Sequence, residues 1–199
     1  PCILIWGMTL AVCRSVRTPA LFPLRLFAAA YTDIFRGIPV ILTILLVGFG
    51  VPGLGLGRPW NSPYLWGSVA LVLAYSSYVA EVFRAGIESV HESQRAGARS
   101  LGLSSGQTLR FVVLPQAVRR VIPPLMNDFV SLQKDVALIS LIGPIEILRQ
   151  AGIDKSKFAN FTPYVGAAII FLLLTIPETR FVDHLMTRER RRTSGTAVR

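Results

Sequence analysis

The polar residues with the most chemical potential fall together. Asn127, Asp128, Ser131, Gln133, Lys134 and Asp135 lie in a stretch, about Val121 to Ile142, that is long enough to cross a bilayer. Carboxylates, an ammonium, amides and a hydroxyl within one helix length can form ion pairs and hydrogen bonds with a charged solute. An ionisable group at membrane depth costs about 2.5–3.5 kcal/mol on insertion scales unless it is paired or hydrated. These side chains are therefore expected to face a bundle interior or a water-filled cavity. One reading is the lining of a solute pathway. The other is structural: Lys134 and Asp135 neutralise each other or partners on neighbouring helices, or the span ends earlier and leaves both wet. Pro123 and Pro124 would break or kink a helix here, which membrane bundles tolerate where a neighbour or a cavity satisfies the freed carbonyls. Glu81 and Arg84, at i and i+3, read as a local helical ion pair in preference to a gate.

The chain offers no constellation for catalysis. A phosphate-binding loop of the Gly-x-x-x-x-Gly-Lys-Ser/Thr type is absent, because no Gly precedes a Lys, so any ATP hydrolysis would have to come from another chain. Gly53, Gly55 and Gly57 follow a candidate span and not a strand, and they open no helix with an acidic residue at the dinucleotide-binding distance. His91 and His184 are far apart and lack ligand or triad companions, which suits surface or interface positions. Cys2 and Cys13 make no metal spacing and no disulfide framework, and they read as small hydrophobes.

The elements that must hold these residues are set by composition. The 199 residues are 52% hydrophobic and 16% charged, with a mean hydropathy of +0.52. A soluble domain carries about 25% charge. Lipid is the expected solvent, and the fold class is an all-α integral membrane helical bundle. Five segments could span or nearly span. The first, ending near Val12, is too short for a crossing, which takes about 20 residues, and reads as the second half of a helix that begins upstream. The second runs from Ile38 to Gly57, with Leu21 to Phe35 before it as an interfacial helix or lead-in. The third covers Pro63 to Phe83, with Trp60, Tyr64 and Trp66 as an aromatic belt at its start. The fourth is Val121 to Ile142, and the fifth is Pro163 to Ile176, extending towards Val182. No linker or internal repeat divides the chain, so residues 1–199 are expected to form a single transmembrane domain.

The net charge of +10 suits the positive-inside rule better than nucleic-acid binding, because the basic residues sit between apolar runs. Placing Arg14 to Arg36, Arg84 to Arg120 and Arg180 to Arg199 on one side collects 16 of the 21 basic residues there. Arg58, Lys134, Arg149, Lys155 and Lys157 are left for the other. The loop of about residues 85–119 and the basic tail 183–199 are thereby assigned to the cytoplasm, with residues 188–199 frayed.

Within that loop, Glu88 to Pro115 reads as two short helices. Glu88 to Leu101 forms the first, with Gly102 at its C-cap. Ser104 or Ser105 caps the second, which Gln107 to Leu114 fills until Pro115 disrupts it. Such an element on the cytoplasmic side of a bundle is a rigid end for another subunit to grip.

These residues resemble the permease subunits of binding-protein-dependent ABC importers. Those carry Glu-Ala-Ala, three residues, Gly, nine residues, Ile, one residue and Leu-Pro in this loop. Here Ala96-Gly97-Ala98, Gly102, Val112 and Leu114-Pro115 keep every spacing. Tyr31 with Phe35 to Pro39, Tyr78, Glu81, Arg84 to Ile87, Leu114 to Ala117, Pro124, Asn127, Lys134-Asp135 and Ala137-Leu138 are similar to the polar amino acid branch. The resemblance covers about Gly7 to Val182. It implies a multi-pass permease of the inner (cytoplasmic) cell membrane that works by alternating access, paired with itself or with a sister permease. It also implies an extracytoplasmic amino-acid-binding protein and two ATP-binding subunits. ATP and Mg belong to the latter, with no cofactor on this chain and no nucleic acid as partner. The expected coupling-loop residues are Glu92, Gln94, Ala96, Gly97, Ala98, Gly102, Leu114 and Pro115, and the candidate substrate-pathway residues, read from their polarity in a span, are Asn127, Asp128, Ser131, Gln133, Lys134 and Asp135.

One departure stands out. The family's loop Glu, which meets the ATPase subunit, is Ala96 here, and the next Ala is Gly97. A lost charge-assisted contact is worth about 1.5–3 kcal/mol. Glu92 could supply a charge one turn earlier, while Arg95 and Arg99 make the face basic. Two rival readings follow: a permease for another small solute, such as methionine or an organic ion, or a non-transporting scaffold or sensor derived from a permease.

Overall fold

The computed structural model describes residues 1–15, 19–55, 57 and 59–195; for Ala20 and residues 188–195 only the backbone is described. Among them the ordered structure is helical, with no strand. Arg17 and Arg58, used in the charge count, and the last four residues of the basic tail lie outside the described residues.

The first helix, α1, covers Cys2–Ser15, and α2 covers Phe22–Gly37. Pro23 sits in the first turn of α2, where no backbone N–H is needed. The helix stops because Pro39 forces its predecessor out of the helical region: Ile38 is extended, with φ −94° and ψ 132°. An apolar helix, α3, resumes at Val40–Gly50 and ends in a tight turn at Pro52–Leu54, with Gly55 left-handed at φ 73°. The expected single span over Ile38 to Gly57 is thus corrected. With 11 residues, α3 is too short to cross alone, and with α2 it forms a bent pair long and apolar enough for a broken span or a re-entrant loop.

The third apolar run is a continuous 26-residue helix, α4 at Pro63–Glu88. The loop after it contains α5 (Glu92–Ser100) and a short turn of helix, α6 (Ser105–Thr108). Glu88 closes α4, so the first loop helix is shorter than the sequence suggested. Leu109–Val113 then widens into a π turn, and α7 follows over Leu114–Asp135. That widening explains why Pro115 does not end the helix. Proline cannot donate to the preceding turn, and a wider turn lets Leu114 N–H bond back to the Leu109 carbonyl instead. Pro123 and Pro124 are likewise carried inside α7. The chain tightens to a 3₁₀ segment over Val136–Ile142 and breaks at Gly143, whose φ of 123° suits glycine.

Beyond the break, α8 covers Ile147–Phe158, and its bend from the preceding helix is 52°. The Glu146 carboxylate caps α8 by accepting from Leu148 N–H at 2.8 Å and Arg149 N–H at 2.7 Å. The last helix, α9, covers Thr162–Gly195 with Pro177 inside it, so the backbone is helical well past the expected end near Val182 and through much of the basic tail. The five apolar segments therefore correspond to two long helices, two bent pairs and one short apolar helix.

Two compact units divide the chain, with boundaries inside α4 and α7. The first comprises Pro1–Ile38 and Val72–Leu125. Its core gathers Leu10, Ala28, Tyr31 and Ala80, with Cys13, Phe35 and Leu73 packed around them. The Tyr31 hydroxyl donates to the Leu73 carbonyl at 2.9 Å, so this aromatic fills the core without an orphaned polar atom. Gly86 sets the approach of α4 to α7, since a Cβ there would lie 2.2 Å from Val121 Cγ1. The second unit comprises Pro39–Leu71 and Met126–Arg199. Gly48 of α3 plays the same part there, where a Cβ would meet Ile142 Cδ1 at 2.5 Å. In α9, 11% of the apolar window is buried within the chain against 50% in α4, so its Ile169, Leu173 and Ile176 face outwards.

Candidate functional site

Two regions carry the candidate residues, one in each unit. In the first, α5 is held as a stiff projection. The His91 ring caps its start, with Nδ1 accepting from Ser93 N–H at 3.2 Å. Its end is a Schellman turn. Leu103 N–H reaches the Ala98 carbonyl at 3.2 Å and Gly102 N–H the Arg99 carbonyl at 2.9 Å, while Gly102 sits at φ 83°. No atom lies within 4 Å of a Cβ added at Gly102, so backbone conformation and not space selects glycine. Ser104 then opens α6 with a reciprocal box: Gln107 N–H donates to Ser104 Oγ at 3.3 Å, and Ser104 N–H donates to Gln107 Oε1 at 2.9 Å. Of the two serines that could cap, Ser104 does so.

Ala98 and Arg95 pin α5 to its unit. Ala98 is buried, and Arg95 Nη2 donates to the Ile87 carbonyl at 2.7 Å. Glu92, Gln94, Ala96 and Gly97 are exposed, as are Arg99, Leu114 and Pro115. At the turn, Leu101 is 84% exposed, an apolar side chain presented outward on a rigid support. Arg120 of α7 donates to the Ser89 carbonyl and so ties the loop's two ends together. Of the coupling residues expected from sequence, all but Ala98 lie on the exposed surface.

Below the loop, Glu81 is a hub and not a local partner of Arg84 alone. Its carboxylate takes Arg14 Nη1 of α1 at 3.0 Å and Arg36 Nη1 of α2 at 3.8 Å, as well as Arg84, which also reaches Glu88. Glu81 is 21% exposed by side chain, so these interactions are only partly screened. The spacing in sequence revealed the i,i+3 pair, whereas the contacts to Arg14 and Arg36 depend on how three helices pack.

The second region is the polar part of α7. Asn127, Ser131 and Lys134 recur at i, i+4 and i+7 and are exposed on one face. Asp128, Gln133 and Asp135 are half-buried. Gln133 Nε2 donates to Glu178 Oε1 of α9 at 2.8 Å. Glu178 is not among the residues singled out from the sequence, although it falls within the run extending towards Val182, because no charged partner stands near it in sequence to mark it. Its signal was a carboxylate following Pro177 inside a helix long enough to span. Together α7 and α9 place amide, hydroxyl, ammonium and carboxylate groups along membrane helices, an arrangement able to hold a polar solute by non-covalent contacts.

The chain is similar to known membrane transport proteins. Residues 3–191 match the family described as binding-protein-dependent transport system inner membrane component. A probable glutamine ABC transporter permease protein, GlnM, of Bacillus subtilis is 34% identical over 92% of this chain and 83% of its own length. A probable amino-acid ABC transporter permease protein of Sinorhizobium fredii is 37% identical over 91% of this chain and 75% of its own length. A crystal structure of an amino acid ABC transporter with histidines superposes with a TM-score of 0.85 at 31% identity, covering 94% of this chain and 85% of that one. The chain belongs to the binding-protein-dependent transport family as a multi-pass, all-helical permease subunit of an ABC transporter in the inner membrane.

Proposed function

We propose that this permease imports polar amino acids by alternating access, driven by ATP hydrolysed on separate subunits. The observation that carries the coupling is the braced α5 projection, capped at both ends and tipped by exposed Leu101. An ATP-binding subunit dimer grips the exposed face of α5 (Glu92, Gln94, Ala96 and Gly97) from the cytoplasm. Movement passes through Gly102 and the π turn into Leu114, Pro115 and α7. ATP and Mg reside on those subunits. A second permease copy or sister subunit completes the pore, and an extracytoplasmic binding protein delivers the solute. Asn127, Asp128, Ser131, Gln133, Lys134 and Asp135 line its path. Glutamine and arginine are the first solutes to test, since the relatives include permeases named for both.

Gly102→Val is expected to reduce ATP-dependent uptake strongly while leaving membrane insertion intact, because a side chain at a left-handed φ costs about 1–2 kcal/mol and reshapes the Schellman turn. Proteoliposomes containing the permease, its ATPase and the binding protein read this directly, and unchanged uptake by that variant would count against the lever. The exposed Ala96 in place of a carboxylate motivates a second reading, a permease-derived scaffold or sensor. Absence of solute-stimulated ATP hydrolysis in the same liposomes would favour it. Competition by methionine or organic ions would point to another solute class.

A further inference from the structure

The chain carries an acidic group in its last span that sequence motifs do not account for. From Thr162 to Pro177 α9 is uncharged, and Glu178 is its first charge. One carboxylate oxygen accepts the Gln133 amide at 2.8 Å, whereas the other, Oε2, is buried and accepts no hydrogen bond. Among the described residues no Lys, Arg or His forms an ion pair with it. An amide fills one lone pair and leaves the charge uncompensated. A buried carboxylate oxygen without a hydrogen-bond partner is costly and favours a cationic donor beside it. A metal ion fits poorly, because Gln133 turns an N–H donor and not an oxygen towards the site, and the described residues contain no group of three His, Cys, Asp or Glu able to hold one. An N–H cation fits: it would donate to the unpaired, buried oxygen and neutralise the charge at once.

We propose that Glu178, oriented by Gln133, binds the cationic N–H group of the transported solute, an ammonium or a guanidinium. The inference rests on the reading of this chain as an amino acid permease and adds α9 to the polar part of α7. Gln133 is half-buried and lies off the exposed face of Asn127, Ser131 and Lys134, and its amide joins Glu178 to the polar part of α7.

Binding of radiolabelled L-arginine and L-glutamine to the purified permease–ATPase complex, without the binding protein, tests the assignment. Glu178→Gln keeps the shape of the side chain and removes its charge, and Glu178→Asp keeps the charge on a shorter stem. We expect Glu178→Gln to weaken binding by at least about tenfold, the scale of one charge-assisted hydrogen bond, with partial recovery in Glu178→Asp. Loss confined to arginine assigns the guanidinium, and equal loss for both solutes assigns the α-ammonium; either result supports the site. Unchanged affinity for both in Glu178→Gln would overturn it and leave Glu178 as a structural partner of Gln133, while wild-type uptake would still uphold the permease reading. A wild-type complex that neither binds nor imports either solute would overturn both.

Discussion

At the scale of single residues, the loop between α4 and α7 separates glycines required by backbone conformation from glycines that are not. Gly102 was legible in the sequence because a glycine after a helical run, followed by serines, is the pattern of a C-cap and a new N-cap, and it sits at φ 83° as that pattern requires. Gly97 is different. It lies inside α5 with open space around the position of a Cβ, so nothing in this chain demands glycine. Gly97→Ala is expected to stabilise α5 by about 1 kcal/mol. Amide hydrogen exchange across residues 92–100 would then slow by roughly fivefold, and unchanged exchange would contradict the prediction. Ala96 beside it is exposed and uncharged, so it offers no charge on the face proposed to meet an ATPase.

At the scale of elements, the ends of helices were easier to read than their joins. The extended Ile38 before Pro39 and the wide turn before Pro115 both follow from proline's missing N–H, yet one proline ends a helix and the other is absorbed by it. Local sequence does not decide between these outcomes; the packing of Val113 and Ala117 against Val90 keeps the second helix continuous. The Glu81 hub was hidden for a related reason. Arg14 and Arg36 lie 67 and 45 positions before Glu81, so only the packing of α1, α2 and α4 brings them together. Glu81→Gln leaves three guanidinium groups close together without their shared carboxylate. It should cost about 1–3 kcal/mol, lowering the thermal midpoint in detergent by about 3–10 °C. An unchanged midpoint would mean that the hub contributes nothing to holding these helices.

For the whole molecule, the arrangement of apolar segments was legible from hydropathy and aromatic placement, because lipid demands long apolar helices. Glu178 was not, because a lone charge near the end of a span is indistinguishable in sequence from a span that has already finished. The proposed function rests on sidedness: it requires the α5 projection to lie in the cytoplasm, where an ATPase could reach it. A single cysteine reports this directly. With Cys2 and Cys13 replaced by Ser, Gln94→Cys places a thiol on the exposed face of α5. Labelling by a membrane-impermeant maleimide should occur only from the cytoplasmic side of inverted vesicles, and the bound ATPase subunit should block it. Labelling from the extracytoplasmic side, in right-side-out vesicles, or labelling that the ATPase leaves unchanged, would contradict the account.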